Sequence, residues 1–234
     1  MRARYALALG FAFLSSAACK SHVTQGTGGS STTGAGGAPA KPPVTTVTHP
    51  AQPPLPGQSD CTVTVTDNVK YEGATHETVC NQIHYVSNPP SSGDHWPVWA
   101  AFKEYTTHVP REMFVHDMEH GAVVMLYNCP SGACPDVVTA FEKARDDFGP
   151  DTLCVTGDPM GPKSRIVITP DNQIPAPIAL SAWQSTYVAT CIDPPSLLDF
   201  VKKHYGHGTE DFCSDGVDPT DPNGAVAACM PLPY

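Results

Sequence analysis

The chain has 234 residues, a formal net charge of −10 at pH 7 and only 13 Lys and Arg residues. Nucleic-acid binding is excluded because phosphate contacts need cationic side chains concentrated on one face. The acidity is compatible with cation binding, and equally with solubility alone.

Residues 1–18 are predicted to be a signal peptide, because two arginines precede an apolar run over residues 5–14 and small residues follow. The run is shorter than the roughly 20 apolar residues of a membrane-spanning helix. The tripeptide Ser-Ala-Ala before Cys19 is similar to a bacterial lipobox. We therefore expect Cys19 to carry lipid and to anchor the chain in the cell envelope, facing the periplasm, in the outer membrane or at the cell surface. Plain cleavage is the alternative.

Residues 19–58 are a low-complexity segment rich in Gly, Ser, Thr, Ala and Pro. Such a segment buries too little apolar surface to offset the entropy lost on ordering, so it is predicted to be a disordered tether. The sequence then predicts one domain over residues 59–212 and a cysteine-containing C-terminal extension over residues 213–234.

Nine cysteines are present, and lipidation of Cys19 would leave eight. An even number of cysteines in an exported chain indicates disulfides. Sequence alone does not fix the connectivity, but short loops are the least costly to close. On that basis the predicted pairs are Cys61–Cys80, Cys129–Cys134, Cys154–Cys191 and Cys213–Cys229.

The first half of the domain contains strand, loop and helix patterns. Alternating Thr and Val predict a strand over residues 61–67, and a second short strand is expected over residues 84–87. Two prolines and a glycine make residues 88–94 a loop. A helix is predicted from Pro110 to His120, because proline suits a first helical turn and a glycine follows.

The second half alternates strands and helices. A continuous apolar run predicts a buried strand over residues 122–127. Apolar residues at helical spacing predict a helix over residues 136–148. The remaining predicted elements are strands over residues 152–156, 165–169 and 178–188 and a helix over residues 195–204. The expected fold class is α+β, a single disulfide-stabilised domain with a mixed sheet packed by a few helices.

A segment that reads Val-His-Asp-Met-Glu-His-Gly contains His116 and His120. On a helix, these residues and Glu119 share a face with Glu112, because positions three and four apart are neighbours. On a strand, Met118 would join the two histidines instead. The helical arrangement offers nitrogen and oxygen ligands for zinc, and the strand arrangement offers His and Met for copper. The flanking proline and glycine favour the helix.

Two enzymatic alternatives remain open. The letters His-x-x-Glu-His match the inverted zinc-protease motif, which implies a metal-dependent hydrolase, although Gly121 ends the element where those proteases continue a long helix. Cys129 and Cys134 lie between a predicted strand and a helix, as in thiol-disulfide oxidoreductases. Their four-residue gap, in place of two, favours a structural disulfide.

The sequences Tyr-Val-Ser-Asn-Pro-Pro-Ser-Ser-Gly-Asp-His, which ends at His95, and Val-His-Asp-Met-Glu-His-Gly resemble the bacterial DUF3105 family. The resemblance covers residues 85–210. It implies no activity, because none is established for the family. It does bring four residues forward as one metal-binding constellation, namely His95, His116, Glu119 and His120. Possible additional ligands are His84, His108, Glu112 and Met118.

The sequence therefore predicts an envelope lipoprotein that binds a copper or zinc ion through a His/Glu site, for sequestration, delivery or sensing. No reaction follows from it. The alternative is a metal-free polar network in a structural or protein-interaction module. The expected partners are the membrane, through the lipid anchor, and an envelope protein.

Overall fold

The computed structural model describes residues 40–129, 134–154, 161–211 and 213–229. The predicted signal peptide, Cys19 and the first part of the predicted tether lie outside these residues. Among the described residues, no helix is both long enough and apolar enough to cross a bilayer.

Six strands form one mixed sheet. They are β1 (Val44–Thr48), β2 (Val63–Asp67), β3 (Val123–Tyr127), β4 (Ile166–Pro170), β5 (Ile178–Ala182) and β6 (Ser185–Ala189). Their order is β1-β2-β6-β5-β3-β4; β3 and β4 are parallel and the other neighbours are antiparallel. Three α-helices accompany them, α1 (Arg111–Glu119), α2 (Pro135–Phe148) and α3 (Pro194–His204), and a 3₁₀ turn spans Ala227–Cys229. The α+β class with a mixed sheet is confirmed.

Both faces of β3 are covered. Met125 and Tyr127 pack with apolar residues of α2 and α3, whereas Val124 and Leu126 pack with residues of α1. This double coverage explains why β3 is a continuous apolar run, since neither set of alternating side chains faces water. Helix α1 thus lies on one face of the sheet, and α2 and α3 lie on the other.

Helix α1 is predicted correctly and is buried along its whole length. It begins after Pro110 and ends before Gly121, whose φ of 86° is the left-handed conformation typical of a residue after a helix end. On the side away from the sheet it packs against the chain between Trp96 and Val109. A helix covered all round can hold polar side chains only where other groups satisfy them.

Substitution of two glycines tests this helix end. A Cβ on Gly121 would lie 2.9 Å from Arg165 Nη1 and 3.0 Å from Gly206 Cα, whereas a Cβ on Gly149, also at φ 86°, would meet nothing within 4 Å. We expect Gly149→Ala to lower the free energy of unfolding by about 1–3 kcal/mol through backbone strain alone, because φ 86° with ψ −173° is a conformation that essentially only glycine adopts. Gly121→Ala should cost more. Urea denaturation would measure both, and equal losses would contradict the close approach at Gly121.

Strand β1 corrects the predicted tether. Residues 19–58 were expected to be disordered throughout, yet Val44–Thr48 pairs with β2 as an antiparallel edge strand. All five residues of β1 are exposed, which confirms that this segment buries little apolar surface. The strand forms because its β-branched Val and Thr residues suit a sheet edge and its backbone bonds to β2.

Two predicted strands are wrong because carboxylate side chains accept hydrogen bonds from the backbone amides of these segments. Over residues 84–87, the amides of Val86 and Ser87 donate to the carboxylate of Glu72 at 2.7 and 2.8 Å. Residues 152–154 form a turn, in which the amide of Leu153 donates to Asp151 Oδ1 at 2.8 Å. Such side-chain bonds compete with a strand ladder. The rest of that prediction, residues 155–156, lies outside the described part of the chain.

The predicted strand over residues 178–188 is two strands, β5 and β6, which form a hairpin. The turn lies at Trp183 and Gln184, and Gln184 has a φ of 55°. Its amide donates to the carbonyl oxygen of Ser91 at 2.7 Å. No Gly or Pro marks this turn in the sequence, so pattern alone did not reveal it.

The eight cysteines beyond Cys19 are paired, but three predicted pairs are wrong. The disulfides are Cys61–Cys191, Cys80–Cys229, Cys129–Cys134 and Cys154–Cys213, and only Cys129–Cys134 was predicted. The pairs predicted from loop-closure cost are wrong because cysteines that are distant in sequence become neighbours once the sheet assembles. The described part of the C-terminal extension is therefore tied into the domain by two long-range disulfides and is not a local addition.

Candidate metal centre

Four side chains from different parts of the chain converge beside α1. His76, His95, His116 and Glu119 each offer one ligand atom, and these atoms all lie within 4.8 Å of one another. Helix α1 carries His116 and Glu119, which face the same way because they are three residues apart. His95 ends the Asn-Pro-Pro loop, and His76 precedes that loop.

The buried imidazole of His116 has a fixed orientation. Its Nδ1 lies 2.7 Å from the carbonyl oxygen of Trp96. A carbonyl only accepts hydrogen bonds, so Nδ1 carries the proton and the lone pair is on Nε2. Histidine ligands in metal sites are commonly held by such a bond from the other ring nitrogen.

His95 is held in the same way. It is fully buried, and its Nδ1 lies 2.8 Å from the carbonyl oxygen of Gly93. Gly93 has a φ of 136°, and a Cβ there would lie 2.7 Å from the Tyr85 ring. The glycine of the Asn-Pro-Pro-Ser-Ser-Gly sequence is thus required for the turn that presents His95 Nε2 to the cluster.

The Asn-Pro-Pro loop is tied to the first turn of α1. Arg111 donates from Nε to Asp171 Oδ2 at 2.8 Å and from Nη2 to Asn88 Oδ1 at 3.2 Å. Asn88 donates in turn to the carbonyl oxygen of Gln173 at 2.8 Å. The loop that carries His95 and the helix that carries His116 are therefore fixed relative to each other.

His76 is the member of the cluster that sequence reasoning missed. Its backbone forms a parallel bridge with that of His95, in which the amide of His95 donates to Thr75 and the amide of Glu77 donates to His95. The His76 side chain is 52% exposed, in contrast to the buried His95. Nothing in the sequence around His76 indicates this pairing, because the bridge joins segments that no local pattern connects.

The carboxylate of Glu119 has one oxygen in the cluster. Its Oε2 lies 2.9 Å from His95 Nε2 and 4.0 Å from His76 Nε2. These distances bracket the ligand spacing of about 3.3 Å that bond lengths of about 2.0–2.1 Å give in a tetrahedron. The contact between His95 Nε2 and Glu119 Oε2 lacks hydrogen-bond geometry despite its short distance.

The other oxygen of Glu119 accepts a hydrogen bond from the Thr209 hydroxyl at 3.0 Å. Thr209→Val should weaken zinc affinity by about 10–100-fold, since outer partners of ligating groups commonly contribute that much. Thr209→Ser keeps the hydroxyl and should bind as the unmodified protein does. Competition with a chromophoric chelator would measure both variants. Unchanged affinity in Thr209→Val would show that this bond does not orient the ligand.

Burial keeps His116 neutral. Desolvation, together with the neighbouring His95, His120 and His76, lowers the pKa of His116 to about 3. A neutral imidazole is the form that binds metal. Burial also raises the pKa of the adjacent Asp117 well above its ordinary value, so that carboxyl group favours its neutral form.

His120, predicted as a ligand, lies beside the four-donor group and not within it. Its Nε2 is 3.3 Å from Glu210 Oε2, and its ring centroid is 4.5 Å from that of His116. The Trp99 ring packs against both histidines, at 4.6 Å from His120 and 5.1 Å from His116. Burial lowers the pKa of His120 to about 4. His120 and Trp99 therefore form one flank of the cluster.

The four possible additional ligands lie elsewhere. Glu112 Oε1 accepts from the amide of Ile83 at 2.9 Å, and Met118 packs in the apolar core. His108 Nδ1 lies 3.2 Å from the carbonyl oxygen of Pro170, and His84 is exposed. None of them contributes to the four-donor group.

The pair Cys129 and Cys134 lies on the other side of the sheet. Cys134 precedes α2 and packs with the α2 and α3 cluster, whereas α1 belongs to the opposite cluster. Residues 130–133 between the two cysteines lie outside the described part of the chain. Any thiol chemistry there would be separate from the His/Glu cluster.

The fold and the cluster together define a class of protein. It is a disulfide-bonded α+β domain with a His/Glu group that is compatible with metal binding. Residues 76–215, more than half of the chain, match the family described as protein of unknown function (DUF3105), and the chain belongs to this family. The matched region includes all four cluster residues. No curated protein and no solved structure matches the chain.

Proposed function

We propose that this protein binds one transition metal ion, zinc or copper, through His76, His95, His116 and Glu119. The observation that carries the proposal is the convergence of four donor atoms within 4.8 Å, three of them from buried side chains. The carbonyl contacts at Nδ1 of two of the histidines support it, because they leave Nε2 free to bind. A network that served structure alone would not need three imidazole nitrogens and a carboxylate oxygen to lie this close together.

The donor set narrows the choice of metal. Three imidazole nitrogens and one carboxylate oxygen suit zinc or copper(II), whereas copper(I) prefers sulfur. Met118, the nearest sulfur in sequence, is packed in the core, and the described cysteines are in disulfides. The arrangement also weighs against the inverted zinc-protease alternative, since Glu119 lies among the ligands and not apart from them as a base.

The proposed role is sequestration, delivery or sensing of the ion in the cell envelope, in contact with an envelope protein partner. The signal-like residues before Cys19 support export and lipid anchoring to a membrane. Four disulfides are in keeping with an oxidising compartment. Mass spectrometry of the mature N-terminus tests the anchor: a diacylglyceryl group on the Cys19 thiol is expected, and an N-terminal residue that carries no lipid would contradict it.

Metal binding is tested on the purified full-length protein. After incubation with zinc and removal of free metal, elemental analysis should find one zinc per chain. The double variant His95→Ala/His116→Ala should retain none. Protein that keeps no metal, or equal amounts in both forms, would favour the alternative of a metal-free polar network.

A further inference from the structure

One ligand of the cluster differs from the others in exposure. The side chains of His95 and His116 are buried and that of Glu119 is 10% exposed, whereas that of His76 is 52% exposed. The ring of Trp99 packs on that of His116, with the centroids 5.1 Å apart. The cluster therefore meets solvent on the His76 side.

The backbone of His76 is fixed although its side chain is exposed. The amides of His95 and Glu77 bond across the bridge at 3.0 and 2.7 Å, and the amide of Thr75 donates to Asp94 Oδ1 at 2.9 Å. These bonds use main-chain groups of this segment and do not involve the imidazole of His76. Its ring can therefore rotate away from the cluster without any movement of the segment that carries it.

The buried ligands lack this freedom. The ring of His95 is bound to Gly93, that of His116 is bound to Trp96, and Glu119 is held by Thr209. Each would have to break a hydrogen bond to swing away from the cluster. A set of three fixed ligands with one mobile ligand resembles zinc sites that keep one exchangeable position, in contrast to closed structural sites.

We propose that His76 is the displaceable ligand through which the metal enters and leaves, and that an external imidazole donor, such as a histidine of a partner, takes its coordination position during transfer. This inference rests on the proposed metal binding. In the exchange, the bond between the metal and His76 Nε2 breaks as a bond to the incoming nitrogen forms. The other three ligands would hold the ion while this exchange occurs and would release it only after the incoming donor is bound, so no free ion would be released.

The test compares His76→Ala with His95→Ala in zinc transfer to a chromophoric chelator, followed by stopped flow. His76→Ala should still bind one zinc and should transfer it at least about tenfold faster than the unmodified protein, because changes in affinity arise mostly in the rate of release. His95→Ala should not retain zinc. Circular dichroism confirms folding, and His76→Gln provides a second variant of similar size.

A cobalt-substituted sample tests the external donor. The visible spectrum of the His76→Ala protein should differ from that of the unmodified protein and should return to it when imidazole is added. Loss of binding in His76→Ala equal to that in His95→Ala, an unchanged transfer rate, or no spectral response to imidazole would overturn the inference. If the unmodified protein binds no zinc, it is the proposed metal binding that fails.

Discussion

Replacing His95 with alanine is expected to lower zinc affinity by more than about 100-fold, because the loss of a buried ligand should exceed the about 10–100-fold cost of losing an outer partner. His95 Nε2 lies 2.9 Å from Glu119 Oε2 and makes no hydrogen bond, so its main role in this account is to bind the ion. Isothermal titration with zinc measures the effect directly.

His84→Ala is the matched control for that experiment. His84 lies in the same part of the chain, is exposed and lies outside the four-donor group. Its replacement should leave zinc affinity unchanged. A comparable loss of affinity in both variants would indicate that zinc binds the histidines of this region non-specifically and would contradict the site.

The second large effect concerns stability. The Cys61–Cys191 disulfide joins residues 130 positions apart, whereas Cys129–Cys134 joins residues 5 apart. In the loop-entropy account, the first disulfide should stabilise the fold by about 5 kcal/mol and the second by about 2 kcal/mol. Replacing each pair with alanines and measuring urea denaturation should therefore reveal a much larger loss for Cys61–Cys191.

The burial of the cysteines supports the same ranking of the two stability losses. Cys191 is fully buried in the core cluster that packs under α2 and α3, whereas Cys129 is only partly buried against it. Removal of the Cys61–Cys191 disulfide therefore also leaves a small cavity, which adds to the cost. Equal losses for the two pairs would contradict the account, because neither loop length nor burial would then govern the contribution of the disulfides.

Local sequence patterns were sufficient to predict much of the fold. The helix over α1 was predicted from Pro110 and Gly121, and the apolar run that became β3 was predicted from its composition. Both signals act over a few residues, so no knowledge of distant contacts was needed. The histidine motif was located on a helix for the same reason.

Non-local contacts account for what the sequence did not reveal. Cys61 was paired with its nearest neighbour in sequence, but the assembled sheet brings it to Cys191. His76 was overlooked because its bridge to His95 has no counterpart in local spacing. His120 was assigned to the site by helical spacing and by the family resemblance, whereas in the structure its Nε2 lies 3.3 Å from Glu210 Oε2.

The most direct measurement of the central claim is X-ray absorption spectroscopy of the zinc-loaded protein. The account predicts four ligands at about 2.0–2.1 Å, with the multiple-scattering signature of three imidazoles and one oxygen. Sulfur scattering at about 2.3 Å, or a shell of oxygens without imidazole, would contradict a site formed by His76, His95, His116 and Glu119.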